Sequence, residues 1–119
     1  MNYKFINTEY IVTVSGGDNE IIRELVTMFS DQVIEIADEM HKLLKAGDYY
    51  NLGLVAHKAK SSVAIMGMND LAMMLKTFEL QAKEGKEPEK YESYINRFKT
   101  ETEEALKELD DLTGKMKKG

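Results

Sequence analysis

The 119-residue chain has no cysteine, no tryptophan, a single proline and only two histidines. Without cysteine there is no disulfide framework, no thiolate nucleophile and no sulfur-ligated metal. That absence suits a reducing compartment, so the expected location is cytoplasmic, although exported proteins can also lack cysteine. One proline and long periodic stretches argue against a fold of many short strands. No apolar run approaches the roughly 18 residues of a membrane helix, so no membrane insertion is expected. The start, Met1-Asn2-Tyr3-Lys4-Phe5, lacks the apolar stretch of a secretion signal. There is neither a glycine-rich phosphate loop nor a dinucleotide fingerprint, and Gly16-Gly17 reads as a turn. ATP binding and autophosphorylation are therefore not expected.

Hydrophobic residues make up 43% of the chain and charged residues 31%, which suits one core and a solvated surface, and a single domain over residues 1–119. Twenty-one acidic residues against sixteen basic ones leave a net charge of −5, which repels phosphate backbones, so nucleic acid is not an expected partner. Two local basic groups stand against that trend. Lys58 and Lys60 flank His57, and Lys115-Met116-Lys117-Lys118 reads as a frayed helix end whose cations complement the helix dipole.

Hydrophobic spacing predicts helices. A short one spans about Thr8 to Val14, capped by Thr8 and apolar at Tyr10, Ile11 and Val14; the β-branched run Ile11-Val12-Thr13-Val14 makes a strand the competing reading. Asp18 caps a long helix to about Ala46. Its stripe is Ile22, Leu25, Val26, Phe29, Val33, Ile36, Ala37, Met40 and Leu44, and Gly47 ends it. Asp48 starts the next, with Leu52, Val55, Ala56, Ala59, Val63 and Met66 inward and Gly67 as its stop. Asn69 or Asp70 caps a third, inward at Leu71, Leu75, Phe78 and Ala82 with Met74 alongside; Gly85 and Pro88 mark the next connection. A fourth long helix runs from near Pro88 to about Lys115. Its core face is Tyr91, Tyr94, Ile95, Phe98, Thr102, Ala105, Leu109, Leu112 and Met116. Short connections make antiparallel neighbours. The expected fold is all-α, an antiparallel up-down-up-down four-helix bundle with a short additional N-terminal helix.

One residue falls outside this core logic. At about 100° per residue, Leu52 and Val63 point together, while His57, Ser61 and Ala64 point away from them. The face around His57 carries Gly53, Lys60, Ser61 and Ala64, small enough to leave an imidazole open to another macromolecule, with Leu54 and Ile65 flanking it. The plain alternative is that His57 is an ordinary surface histidine, Lys60 a solvated lysine, and Glu79 with Lys83 a surface helix pair worth about 0.2–0.5 kcal/mol. His41 lies off the stripe of its helix and receives no chemical role; a His41–His57 metal site has no recognisable ligand spacing. Met66, Met68, Met73 and Met74 read as gap-fillers between helices.

The run His57-Lys58-Ala59-Lys60-Ser61-Ser62 followed by Gly67 resembles the motif of histidine-containing phosphotransfer (HPt) domains, four-helix bundles that relay phosphoryl groups in multistep two-component signalling. Gly16-Gly17-Asp18, Phe29, Leu75, Phe78-Glu79 and Gly85 also fall where that family would place them, so the resemblance covers roughly the whole chain. It implies that His57 accepts and donates the phosphoryl group and that Lys60 offsets its charge. Glu79 would fall where a polar residue of the neighbouring helix binds the imidazole, and Lys83 where a second basic residue is sometimes found. Ser61 stands where the family usually has glycine; its hydroxyl could bond back to the His57 carbonyl or touch the phosphate.

Elementary chemistry fits these roles. If Glu79 accepts from Nδ1–H, the tautomer is fixed and Nε2 is left as nucleophile. Lys60, one turn on, can meet the added charge. The implied partners are response-regulator receiver domains or a hybrid sensor histidine kinase. The receiver would bring the Mg²⁺ and the aspartate, and the chain is expected to need no cofactor or metal of its own. A carrier with one site need not dimerise, and a monomer is expected. The alternative is a helical adaptor, a pseudo-HPt that binds signalling partners and carries no phosphate.

Overall fold

The computed structural model describes residues 3–115. Five α-helices follow one another: α1 (Thr8–Ser15), α2 (Asn19–Ala46), α3 (Tyr49–Ile65), α4 (Asn69–Glu84) and α5 (Tyr91–Lys115), the last preceded by a 3-10 turn, Pro88–Lys90. Helix α2 packs on α3, α3 on α4 and α4 on α5, and α5 returns against α2 to close the four-helix bundle. Helix α1 rests on α2 and α3. Met116 and the Lys117-Lys118 tail, expected at the end of the last helix, lie outside the described residues.

The long helices form where their stripes and caps agree. Asp18 accepts from the backbone N–H of Glu20 and Ile21 at the start of α2, and Gly47 ends it in the left-handed conformation. From this helix Ile22, Phe29, Val33, Ile36, Ala37 and Met40 are buried. Asp48 caps α3 through the N–H of Asn51, and Leu52, Ala56, Ala59 and Val63 are fully buried in its inward face. Leu75 and Phe78 of α4 and Tyr91, Ile95 and Phe98 of α5 complete the core. Tyr91 shares its hydroxyl between the carbonyls of Gln81 (2.9 Å) and Lys86 (2.5 Å), which pins the start of α5 to the end of α4.

Three local expectations change. Residues 11–14 are helical, but the cap of α1 is Asn7, not Thr8: its side chain accepts from the N–H of Tyr10 at 3.0 Å. The backbone N–H of Asn7 donates to the carbonyl of Met66, which holds that residue in place. Tyr10 and Val14 are exposed, because so short a helix turns only Ile11 and Ser15 inward. Neither Asn69 nor Asp70 caps α4; the position belongs to Met68, whose buried side chain anchors the turn without a capping hydrogen bond. Gly67, at φ +72°, packs so tightly on the N-terminal segment that a Cβ there would lie 2.5 Å from the Asn7 Cβ.

The N-terminal segment is also tied to α5. The carboxylate of Glu108 accepts backbone N–H groups from Lys4, Phe5 and Ile6 at 2.9 to 3.0 Å. Tyr3 donates to Asp111 at 2.7 Å; this bond, with lesser help from neighbouring negative charge, pushes the Tyr3 phenol up to about 12. Among the described residues no helix is long and apolar enough to cross a membrane.

Candidate functional site

Helix α3 lies between α2 and α4, so its free face is a strip bounded by two neighbours. His57 stands in the middle of that strip with 56% of its side chain exposed. Ser61, Leu54 and Ile65 are exposed beside it, and Ala64 is half-buried. The outward placement read from helical spacing is the placement observed.

Glu79 reaches His57 from α4. Its carboxylate is buried, with only 9% of the side chain exposed, and both oxygens lie near one ring nitrogen: Nδ1 is 3.0 Å from Oε1 and 3.1 Å from Oε2. Lys83 donates to Oε2 at 2.8 Å from one turn further along α4, and Lys60 approaches Oε1 at 3.8 Å from α3. Burial by itself pushes the Glu79 carboxyl up, but the hydrogen bonds from Lys83 and His57 and their charges outweigh it and hold the group below its ordinary value of 4.5. At neutral pH it is therefore ionised, and an ionised carboxylate only accepts. The proton between the ring and Glu79 thus belongs to Nδ1. No hydrogen bond among the described residues involves Nε2, the nitrogen on the far side of the ring.

His57, Lys60, Glu79 and Lys83 accordingly meet at one place. The Glu79–Lys83 spacing, compatible with a plain surface pair, belongs here to a buried carboxylate, because α3 packs over that turn of α4. Ser61 does not join the group. Its hydroxyl makes no hydrogen bond among the described residues, and the back-bond to the His57 carbonyl is absent, whereas Thr13, Thr27 and Thr102 do bond back to their own helices. Lys58 turns the other way, 4.0 Å from Glu35 of α2, so the two lysines flanking His57 do not form one basic patch.

Two features were missed by sequence reasoning. Gly53 is not part of the open face: it is buried, and a Cβ there would lie 2.8 Å from Lys83 Cγ and 3.0 Å from the Glu79 carbonyl oxygen and the Lys83 backbone nitrogen. Its position one turn before His57 is the only signal the sequence carries. Ser62 is buried and donates to Gln32 of α2 at 2.8 Å, fastening the other edge of α3; a serine beside a run of inward residues hints at such a bond without naming the partner.

The remaining candidates lie elsewhere. His41 lines a groove of about 680 Å³ between α2 and α5, with Ile34, Ala37 and Leu106. Of the clustered methionines, Met66, Met68 and Met74 fill the core, while Met73 is 69% exposed. Among the described residues no group of three or more His, Asp or Glu side chains is arranged to hold a metal ion.

A family model described as "Hpt domain" matches residues 24–112, about three quarters of the chain, from the second turn of α2 to near the end of α5. The match includes His57, Lys60, Glu79 and Lys83 and leaves α1 outside. No curated protein and no solved structure matches the chain.

Proposed function

The chain belongs to the Hpt domain family, whose members act in phosphotransfer within two-component phosphorelays, and from that premise we propose that His57 carries the phosphoryl group. The carrying observation is a ring held at Nδ1 by a buried, ionised carboxylate and open at Nε2. In the transfer, the Nε2 lone pair attacks the phosphorus of an aspartyl phosphate on a receiver domain. The N–P bond forms as the acyl O–P bond breaks, and the aspartate carboxylate leaves. The reverse step delivers the group to a second receiver.

Each neighbour has a distinct task in this reading. Glu79 selects the tautomer and fixes the ring plane, so attack begins from an aligned nitrogen. Lys83 holds Glu79 through its short bond. Lys60, whose contact with Glu79 is longer than a hydrogen bond, is free to turn toward the phosphoryl oxygens when charge arrives. Ser61 lies beside the attack path and leaves room for the receiver. Mg²⁺ belongs to the receiver, where it offsets charge on the transferring group; no residue of this chain is assigned to it. The reading takes residues 1–119 as one domain working as a cytoplasmic monomer that neither binds ATP nor phosphorylates itself.

The test is transfer from a phosphorylated receiver. Acid-labile, base-stable label should appear on the wild-type chain and be absent from His57→Gln; label on that variant would refute the assignment. Ser61, in the place of the family's glycine, favours a second reading, a helical adaptor that binds partners and carries no phosphate. That reading requires binding that is indifferent to His57→Ala and no labelled histidine with any receiver.

A further inference from the structure

We infer that Gly53 is a positioning residue: it sets the distance between α3 and α4 at the level of Glu79 and so keeps that carboxylate on His57 Nδ1. Gly53 lies one turn before His57 on α3, and its α-carbon faces the backbone of α4 between Glu79 and Lys83. A Cβ would stand 3.0 Å from the Glu79 carbonyl oxygen and 3.0 Å from the Lys83 nitrogen, and 2.8 Å from Lys83 Cγ. The first two atoms are main chain inside a helix and cannot swing aside, so any side chain at 53 moves one helix against the other. The residues it would move are the two that hold the ring, Glu79 at 3.0 Å from Nδ1 and Lys83 at 2.8 Å from Glu79. Glycine costs helix stability at a mid-helix position. Alanine, the better helix former, would press here on the neighbouring backbone, which would have to give by a few tenths of an ångström.

The inference deepens the phosphocarrier reading and rests on it only where transfer rates are concerned. Its primary readout is the ring itself. In the ¹⁵N-labelled full chain, the neutral form of the His57 ring should report a single tautomer with hydrogen on Nδ1. In Gly53→Ala the carboxylate is drawn off by a few tenths of an ångström, and the nitrogen shifts should move toward a mixture of both tautomers. Gly114→Ala is the matched control. It also replaces a helical glycine, but with nothing within 4 Å of the new Cβ, so it should leave the His57 signals unchanged.

Lys83→Ala supplies a second comparison, because it removes Cγ and keeps both main-chain contacts. Adding Gly53→Ala to it should still shift the tautomer, and this pair decides the matter if Gly53→Ala alone fails to fold by circular dichroism. Unchanged His57 nitrogens in a folded Gly53→Ala, or in the double variant relative to Lys83→Ala, would overturn the inference. Phosphoryl acceptance by Gly53→Ala should fall by about tenfold, as expected for a small misplacement of a reacting group. If the wild-type chain takes no label from any receiver, the phosphocarrier reading fails, and the nitrogen shifts still decide whether Gly53 positions the ring.

Discussion

The chain's two histidines stand in regions that look alike along the sequence and differ in space. His41 and His57 each lie on a long amphipathic helix, off its apolar stripe, and both are exposed. Around His41 the neighbouring helix is α5, and the groove between them offers Ile34, Ala37 and Leu106 as its apolar part, with no hydrogen bond to the ring among the described residues. Around His57 the neighbouring helix is α4, and it presents a buried carboxylate with two lysines on it. The difference between a bystander and a candidate nucleophile is therefore made by the adjacent helix. An imidazole becomes directional only when something fixes one of its nitrogens.

The largest expected effect separates the two histidines outright. Phosphoryl acceptance from a receiver should fall to background in His57→Gln and be unchanged in His41→Gln. Loss in both, or in His41→Gln alone, would break the comparison. The next effect tests what the neighbouring helix contributes. Glu79→Ala removes the group that holds Nδ1 and should slow acceptance by about 100-fold through misorientation and the wrong tautomer. Glu79→Gln keeps an oxygen that can accept from Nδ1–H and should recover most of that loss, which single-turnover rates would show. Equal rates for the two variants would mean that the charge, and not the orientation, is what matters.

The two lysines sharpen the contrast further. Lys60 touches Glu79 at 3.8 Å and Lys83 at 2.8 Å, so the first is the looser partner of the carboxylate. Lys60→Ala should lose one charge-assisted contact to the phosphoryl group, worth about 1.5 kcal/mol, or about tenfold in rate. Lys83→Ala acts only through Glu79 and should give the smaller drop. The reverse order would exchange their roles.

Much of this arrangement can be read from residue spacing. The stripes of α2 and α5, the caps at Asp18 and Asp48 and the outward turn of His57 depend on residues within a few turns of one another, where helical periodicity is decisive. What spacing does not show is which helix lies opposite. Glu79 and Lys83 make the same i,i+4 pattern on a wet surface and under a packed neighbour, so the burial of Glu79 is invisible until α3 is placed over it. Gly53 has the same difficulty in a sharper form, since its meaning lies in atoms 26 to 30 residues away. Asn7 caps α1 because its backbone is held by Met66, and the N-terminal segment is held by Glu108, contacts that no local pattern encodes.

The smallest effect is one of stability, and it follows from the ionisation of Glu79. Its folded carboxyl lies below the ordinary value of 4.5 because the bonds and charges of Lys83 and His57 outweigh the penalty of burial. A group lowered on folding binds its proton more readily in the unfolded chain. Its contribution is therefore fully present above about pH 4.5 and is lost as the pH falls through the lower folded value. Glu79→Gln has no such titration. The wild-type chain should thus melt above Glu79→Gln near neutrality, and the gap should close on acidification below pH 4.5, as thermal unfolding followed by circular dichroism would measure. His41→Gln, run in parallel, should show no gap that closes in that window. If it does, the acid sensitivity belongs to the fold at large, and the carboxylate beneath His57 is no more tightly held than any other on the surface.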